Sequence, residues 1–413
     1  MSSTPKNQAP ITGIIHHPYA PDAPFAAPQP GVFKASSVFF PNVAAMRSWD
    51  WKDKSAFTYG LHGTPTTYIL EERIATLEGG SHCVLVPSGL ASISVIGLAL
   101  LKSGDHVLLP DNVYGPSKGF AESELQRFGV SIGYYDPMRV DHCASLIQDN
   151  TRLVWLEAAG SVSMEFPDLV GLVRLCQQKG IATALDNTWG AGLAFNCFDL
   201  DGDGSYRTGV DVSAHSLTKY PSGGGDVLMG SIVTRDAAVH RKVQATHMHL
   251  GLGVGVNDIE TVLRSLPSLA LRYHAQDAAA RQLAAFMAEQ PAVVQLLHPA
   301  FAGSPGHAHW QQLCGAGAVA GKQGAAAGLF SVVIDPRYSQ QQIDLFCESL
   351  RLFKLAYSWG GPISLVVPYK IGSMRALSES QLQPGTVVRF SIGLEDAHDL
   401  QQDLAQALQK AFG

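Results

Sequence analysis

Short apolar runs alternate with helical patterns between residues 66 and 234. From Thr66 apolar residues recur at helical spacing as far as a stop at Gly79, and a short apolar run, Cys83–Val86, follows. The same pattern predicts, in chain order, helix 90–101, strand 106–109, helix 116–128, strands 131–135 and 152–156, helix 168–179, and strands 182–186 and 228–234. Short apolar strands separated by helices indicate an α/β fold with a mostly parallel sheet covered on both faces.

The pattern differs on both sides of this region. Residues 1–65 are rich in Pro and Gly, with short extended stretches such as 36–40, which favours an arm over a packed domain. After about residue 258 a long helical region comes first. It is followed by the apolar run Phe330–Asp335, a helix near 341–350, and a terminal helix with Leu400, Leu404 and Leu408 on one face.

Three structural units follow from these differences. We predict an N-terminal arm over 1–65 that reaches the neighbouring subunit, a large sheet domain over 66–258, and a smaller C-terminal α+β domain over 259–413. The Gly- and Ala-rich segment 302–328 is predicted to be a surface loop with little structure of its own.

Composition and charge narrow the class of protein. A chain of 413 residues that is 46% hydrophobic and 15% charged can bury a large core, as a globular enzyme does. The formal net charge of -6 disfavours nucleic-acid binding.

The cysteines lie far apart without zinc-site spacing, so we expect free thiols in a reducing compartment and no metal. No apolar run approaches the roughly 20 residues of a membrane span, and no signal-peptide pattern is present. We expect a cytoplasmic protein.

Polar residues that follow predicted strands are the first candidates for a site, because ligands of open parallel sheets bind at the carboxyl ends of the strands. Three places qualify: Pro87-Ser88-Gly89-Leu90, Leu185-Asp186-Asn187-Thr188-Trp189, and Ser216-Leu217-Thr218-Lys219-Tyr220, which follows the short run Val210-Asp211-Val212 by a few residues.

Each place fits one part of a phosphorylated pyridine cofactor. Gly89 allows close backbone approach at a helix start, where free amides suit a phosphate. A buried Asp186 beside a pyridine nitrogen keeps that nitrogen protonated, although a carboxylate there can also cap a loop. Ser216 and Thr218 can bind phosphate while Lys219 forms an imine, although a single lysine is more often a solvated surface charge. Together the three places favour the cofactor.

From about Phe39 to the C-terminus the sequence resembles the Cys/Met-metabolism family of fold-type I pyridoxal 5′-phosphate (PLP) enzymes, and within it the bacterial cystathionine β-lyases. Six motifs in matching order carry the resemblance: Tyr59-Gly60 with Gly63-Thr64-Pro65-Thr66, Asn112-Val113-Tyr114-Gly115-Pro116-Ser117, Asp186-Asn187-Thr188-Trp189, Ser216 to Tyr220, Ala356-Tyr357-Ser358-Trp359-Gly360-Gly361, and Arg389-Phe390-Ser391-Ile392-Gly393-Leu394-Glu395-Asp396.

The resemblance implies a role for individual residues. Lys219 holds the cofactor as a Schiff base, and Asp186 pairs with the pyridine nitrogen. Tyr114 stacks on the ring and, with Lys219 and Tyr59, is expected to be catalytic. Arg389 clamps the substrate α-carboxylate, for which a planar guanidinium is well matched. The phosphate is held by the amides of Gly89 and Leu90 and the hydroxyls of Ser216 and Thr218.

The resemblance also implies an active site shared between subunits of a homotetramer built from dimers. In such a dimer Tyr59 comes from the neighbouring subunit and touches the phosphate. Family members often carry a phosphate-binding arginine two residues later, where this chain has Leu61. We expect His62, Thr64 or the remaining donors to compensate, or cofactor affinity to be weaker.

The activity implied is a carbon–sulfur β-lyase that cleaves L-cystathionine, a small thioether amino acid, to homocysteine, pyruvate and ammonia in transsulfuration and methionine biosynthesis. Ser358 and Trp359 are expected to bind the substrate together with Arg389. They also discriminate within the family, because bacterial β-lyases place Trp after this Ser, whereas γ-lyases and γ-synthases usually have a smaller residue. The alternatives are a cystathionine γ-lyase or γ-synthase, a cysteine desulfhydrase, an amino-acid racemase or, outside enzymes, a PLP-binding regulator.

Overall fold

The computed structural model describes residues 9–17, 27–54, 56–315, 324–377 and 381–413 of the chain. Its α-helices in these ranges are α1 (Pro10–Ile15), α2 (Val43–Ser48), α3 (Pro65–Glu78), α4 (Gly89–Leu100), α5 (Gly115–Phe120), α6 (Val140–Leu146), α7 (Leu169–Lys179), α8 (Ala237–Leu250), α9 (Val256–Ser265), α10 (Leu269–Ala288), α11 (His307–Trp310), α12 (Gln340–Ser349) and α13 (Ala397–Phe412). A π-helical turn, Ala121–Leu125, continues α5, so the predicted helix 116–128 is irregular in its second half.

The larger sheet has seven strands: β1 (His82–Val86), β2 (His106–Pro110), β3 (Ser131–Tyr135), β4 (Thr151–Glu157), β5 (Ala182–Asp186), β6 (Val212–Ser216) and β7 (Gly230–Thr234). Their order across the sheet is β1-β7-β6-β5-β4-β2-β3. The strands from β6 to β3 pair in parallel, and only β7 runs antiparallel to both of its neighbours. The predicted mostly parallel sheet is confirmed.

Successive side chains of a strand enter different cores, as the two-residue period of a strand requires. In β1, Leu85 packs in a core with α3, α7 and α9, whereas Val84 and Val86 pack in a second core with α4 and α8. Both faces of the sheet are therefore covered, as predicted.

The smaller sheet is assembled from the C-terminal part of the chain. Its strands are β8 (Val293–Leu297), β9 (Leu329–Ile334), β10 (Lys354–Leu355), β11 (Leu365–Tyr369) and β12 (Thr386–Ser391), in the order β10-β11-β12-β9-β8. Most of its pairings are antiparallel. Phe330 and Phe390 stack across it with ring centroids 5.0 Å apart, in a core shared with α10, α12 and α13. The domain boundaries at 65 and 258 stay predictions.

Part of the N-terminal segment packs against the rest of its own chain. Ile14 of α1 is 1% exposed and lies in the core beside α3. Further along, Lys54 Nζ lies 2.6 Å from Glu71 Oε2 and donates to the carbonyl of Cys83. The pattern of residues 1–65 did not predict α1, and the contact of this segment with a neighbouring subunit stays a prediction.

The prediction of an unstructured surface loop over 302–328 is wrong where the structure describes this segment. The helix α11 contains the buried Trp310, whose Nε1 donates to the carbonyl of Ala325 at 3.0 Å. Ala326 and Ala327 are fully buried. Small side chains here allow close packing, although their composition suggested a loop. Residues 316–323 lie outside the described part.

Helices long and apolar enough to cross a membrane do not occur among the described residues. All six cysteines are buried and free.

Candidate active site

A cavity of about 470 Å³ opens at the carboxyl ends of the parallel strands. It is lined from the larger sheet by the ends of β4, β5 and β6 and the start of α4, and from the C-terminal part by β11, β12 and the segment around residue 358. Of the predicted site residues, all except Tyr59 line it: Gly89, Leu90, Tyr114, Asp186, Ser216, Thr218, Lys219, Ser358, Trp359 and Arg389.

Lys219 follows β6 and projects into this cavity. Its Nζ donates to Ser358 Oγ at 2.9 Å and lies 4.7 Å from the centroid of the Trp359 ring. Burial and the positive charge of Arg389 lower the pKa of Lys219 to about 8, while Asp186 acts in the opposite direction. The amine therefore loses its proton at a lower pH than an exposed lysine does.

The backbone around Lys219 is held from the C-terminal part of the chain. Arg272 Nη1 donates to the carbonyl of Tyr220 at 2.7 Å, and the hydroxyl of Tyr220 accepts from the amide of Gly328. Gly360 has a φ of +77°, and a Cβ there would lie 2.9 Å from the carbonyl carbon of Lys219. A glycine at 360 therefore lets the segment of Ser358 approach the lysine.

Asp186 ends β5 inside the cavity, beside a second carboxyl group. It pairs in register with Glu157 at the end of β4, and its Oδ1 accepts from the amide of Thr188 at 3.0 Å. Burial raises the pKa of Asp186. Among the residues that the structure describes, no basic side chain forms an ion pair with Asp186, so the carboxyl group is matched to a ligand that brings a positive charge.

Glu157 is a site residue that the sequence analysis missed. Burial and, next, the charge of Asp186 raise its pKa well above the ordinary value. Its Oε1 accepts from the amide of Tyr114 at 2.7 Å. The available signal was its position directly after the predicted strand 152–156, at the same edge of the sheet as Asp186 at the end of strand 182–186.

Tyr114 stands immediately before α5 and lines the cavity. Burial raises the pKa of its phenol, followed by the charges of Asp186 and Glu157. The phenol ring of Tyr114 therefore lies near Asp186, where it can stack on a pyridine ring that binds to this carboxyl group.

The predicted phosphate-binding residues meet where α4 begins. Ser88 caps this helix by accepting from the amide of Ala91. A Cβ at Gly89 would lie 2.6 Å from Ser216 Oγ, so glycine is needed for the helix start to approach β6 this closely. Thr218 Oγ1 donates to the carbonyl of Met229 at 3.2 Å, and its hydroxyl must rotate to donate elsewhere.

Arg389 lies on β12 and is 5% exposed. Its Nη1 donates to the carbonyl of Ser161 at 3.1 Å, and its Cζ lies 5.2 Å from the Trp359 ring and 5.3 Å from the Tyr369 ring. Burial lowers the pKa of this arginine. No carboxylate of the described residues pairs with it, which leaves a buried cation suited to an anionic ligand. Ser161 and Tyr369 were also missed by the sequence analysis, since neither follows a predicted strand.

Tyr59 lies outside this cavity and is 47% exposed. The two residues predicted to compensate for Leu61 are engaged within the chain. His62 Nδ1 lies 2.7 Å from Thr58 Oγ1, and the side chain of Thr64 caps α3. The contribution of Tyr59 to a neighbouring active site stays a prediction.

These residues fit PLP on structural grounds. The cavity combines a lysine of lowered pKa, a buried carboxyl group without a basic partner and a helix start where only glycine fits. The lysine amine can form an imine with the aldehyde of PLP, and the carboxyl group can pair with its pyridine nitrogen. The free amides at the helix start can bind its phosphate.

Comparisons with known proteins agree with this chemistry. Residues 11–409 match the family model of the Cys/Met metabolism PLP-dependent enzymes. A cystathionine β-lyase of Bordetella avium is 35% identical over 97% of this chain and 98% of its own. An L-alanine/L-glutamate racemase of Wolbachia pipientis is 30% identical over 86% of this chain and 83% of its own. The crystal structure of a cystathionine γ-synthase from Xanthomonas oryzae pv. oryzae superposes with a TM-score of 0.84 at 26% identity, covering 99% of both chains.

Proposed function

The chain belongs to the Cys/Met metabolism PLP-dependent enzyme family, and from this membership we propose that it is a carbon–sulfur β-lyase that cleaves L-cystathionine to homocysteine, pyruvate and ammonia. Pyridoxal 5′-phosphate is the cofactor of the family. When bound, it supplies an electron sink that stabilises negative charge at the substrate Cα.

The proposal assigns the cavity residues to the parts of the cofactor. Lys219 would be the covalent anchor, Asp186 would pair with the pyridine nitrogen and Tyr114 would stack on the ring. Near the start of α4, Gly89, Leu90, Ser216 and Thr218 would hold the phosphate group, together with Tyr59 of a second subunit.

Arg389 holds the α-carboxylate of the amino acid. The support for this assignment is a buried guanidinium without a carboxylate partner, whose orientation is fixed by the carbonyl of Ser161. Trp359 and Tyr369 flank it and keep water away, which strengthens the interaction with an anion.

Lys219 is the acid–base group. Its Nζ is neutral at pH values above its pKa of about 8. In that form it takes the Cα proton while Ser358 holds the amine in position. The Cβ–S bond then breaks, the electron pair leaves with sulfur, and Lys219 or a nearby tyrosine such as Tyr114 protonates the thiolate. Water hydrolyses the three-carbon product to pyruvate and ammonia.

The observation that carries β-elimination is the position of Trp359 beside both cations, with Lys219 Nζ 4.7 Å and Arg389 Cζ 5.2 Å from the centroid of its ring. Elimination at Cγ requires a second proton transfer at Cβ, and so a base that moves along the substrate. A bulky indole beside the amine restricts that movement and favours a single transfer at Cα.

Product analysis tests the proposal. The cofactor-loaded protein is given L-cystathionine, and the keto acid and thiol are identified by chromatography and mass spectrometry. Pyruvate with homocysteine supports the β-lyase, whereas 2-oxobutyrate with cysteine, or a new thioether, contradicts it.

An amino-acid racemase is the second candidate. It is favoured by the similarity to a racemase and by Tyr114, a second protonatable group that lines the cavity with Lys219. Inversion needs an acid and a base on the two sides of Cα. Formation of D-alanine from L-alanine, measured by chiral chromatography, distinguishes it from the lyase.

A further inference from the structure

A buried ion cluster lies beside the active-site cavity without lining it. Arg375 Nη2 donates to Glu165 Oε2 at 2.6 Å, and Arg375 Nη1 lies 3.5 Å from Asp111 Oδ2. The three side chains are between 2% and 8% exposed. Removing three charges from water is costly, and in some proteins a buried ionic arrangement of this kind fixes a specific geometry.

Glu165 connects this cluster to the arginine of the cavity. The loop 160–165 is closed by two hydrogen bonds, from the Gly160 amide to the Glu165 carbonyl and from the Met164 amide to the Gly160 carbonyl. Within this loop the carbonyl of Ser161 accepts from Arg389 Nη1 at 3.1 Å. A shift of Glu165 therefore moves the group that orients Arg389.

The other contacts of the cluster reach two more cavity segments. Asn112 Nδ2, two residues before Tyr114, donates to Glu165 Oε2 at 3.0 Å. Asp111 Oδ1 accepts from the amide of Leu377 at 3.1 Å, in the segment that follows the cavity residue Met374. Three chain segments that contribute to the cavity thus meet at one cluster.

We propose that Arg375 is a positioning residue for carboxylate recognition. It holds Glu165, and through Glu165 the Ser161 carbonyl, so that Arg389 presents its guanidinium to the α-carboxylate of the substrate. The inference rests on the proposed role of Arg389. It adds that substrate selectivity depends on an ion pair outside the cavity.

Binding of L-alanine and ethylamine to the cofactor-loaded protein tests this inference, because the two ligands differ only in the carboxylate. Their dissociation constants are measured from the change in the visible absorbance of the cofactor. For Arg375→Gln we expect the constant for L-alanine to rise on the order of tenfold, since small displacements of a binding group have large effects. The constant for ethylamine is expected to stay unchanged.

The two proposals fail in different ways. A wild-type protein that binds both ligands equally would remove the role of Arg389, and the inference with it. A wild type that prefers L-alanine, with an Arg375→Gln variant that keeps the same preference, would overturn the inference alone.

Three further variants separate positioning from stability. Arg375→Lys keeps the charge and is expected to restore part of the preference. Glu165→Gln repeats the test if Arg375→Gln does not fold. Arg281→Gln breaks another partly buried pair, with Arg281 Nε 2.7 Å from Asp277 Oδ1, away from the cavity lining. It is expected to keep the wild-type preference, and an equal loss there would contradict a specific role of Arg375.

Discussion

Lys219 Nζ donates a hydrogen bond to Ser358 Oγ across 2.9 Å, and so joins the end of β6 in the larger sheet to the segment that precedes β11 in the smaller one. The amine that carries the proposed chemistry is therefore oriented by a residue from the other half of the chain.

Loss of this hydrogen bond is expected to slow the reaction more than it weakens binding. For Ser358→Ala we predict a fall in kcat of roughly ten- to hundredfold, because a misplaced base loses its alignment with the Cα proton. KM for L-cystathionine should change little, since the carboxylate is held elsewhere. Steady-state kinetics measure both. Ser358→Thr keeps a hydroxyl and should retain much of the rate, and an equal fall in both variants would argue against the hydrogen bond.

The lowered pKa of Lys219 predicts a pH dependence. Its pKa of about 8 lies below the ordinary 10.5, so the neutral amine forms as pH rises through about 8. In cofactor-free protein, labelling of Lys219 by an amine reagent, followed by peptide mass analysis, should increase with that midpoint. Arg389→Gln removes a nearby positive charge and should move the midpoint upward. A midpoint near 10.5 in the wild type would contradict the burial of the amine.

Replacement of Arg389 tests the carboxylate site directly. A hydrogen bond to a charged group contributes about 1.5–3 kcal/mol, so Arg389→Gln should raise KM for L-cystathionine by roughly ten- to hundredfold. Arg389→Lys should recover only part of this, because an ammonium lacks the planar fork. An unchanged KM in Arg389→Gln would place the carboxylate elsewhere.

Leu61 stands where many family members have an arginine that binds the cofactor phosphate, so its replacement tests how this phosphate is held. Because His62 and Thr64 are already engaged within the chain, we expect cofactor binding to lack a charged contact that Leu61→Arg can supply. This variant should lower the dissociation constant of the cofactor, measured by titration of cofactor-free protein. Leu61→Met is the uncharged control. A Leu61→Arg variant that binds no more tightly would show that other donors compensate.

The strands with continuous apolar runs could be predicted from the sequence, and β6 could not. In β6 (Val212–Ser216) the polar residues Ser213 and His215 alternate with the apolar residues Val212 and Ala214. This alternation suggests one exposed face, yet the strand is largely buried. Glu78 of α3 accepts from Ser213 Oγ and lies 2.9 Å from His215 Nδ1, so both polar side chains have a partner inside the core. A partner more than a hundred residues away leaves no local pattern.

The same limit applies to the site. Asp186 and Gly89 could be predicted because they lie at or just after the ends of recognisable strands, and Lys219 because Ser216, Thr218 and a Gly-rich turn flank it. Glu157 has the same signal and was overlooked. Tyr369 and Ser161 become site residues only when the C-terminal segments fold against the larger sheet, which no local spacing indicates.

The most direct measurement of the central claim is to trap the cofactor on its lysine. The loaded protein is reduced with borohydride and digested, and the peptides are mapped by mass spectrometry. We predict that the pyridoxyl group is found on the peptide that contains Lys219, and that Lys219→Ala carries no such label. A label on another lysine, or no label in the wild type, would contradict the assignment of this cavity as the active site.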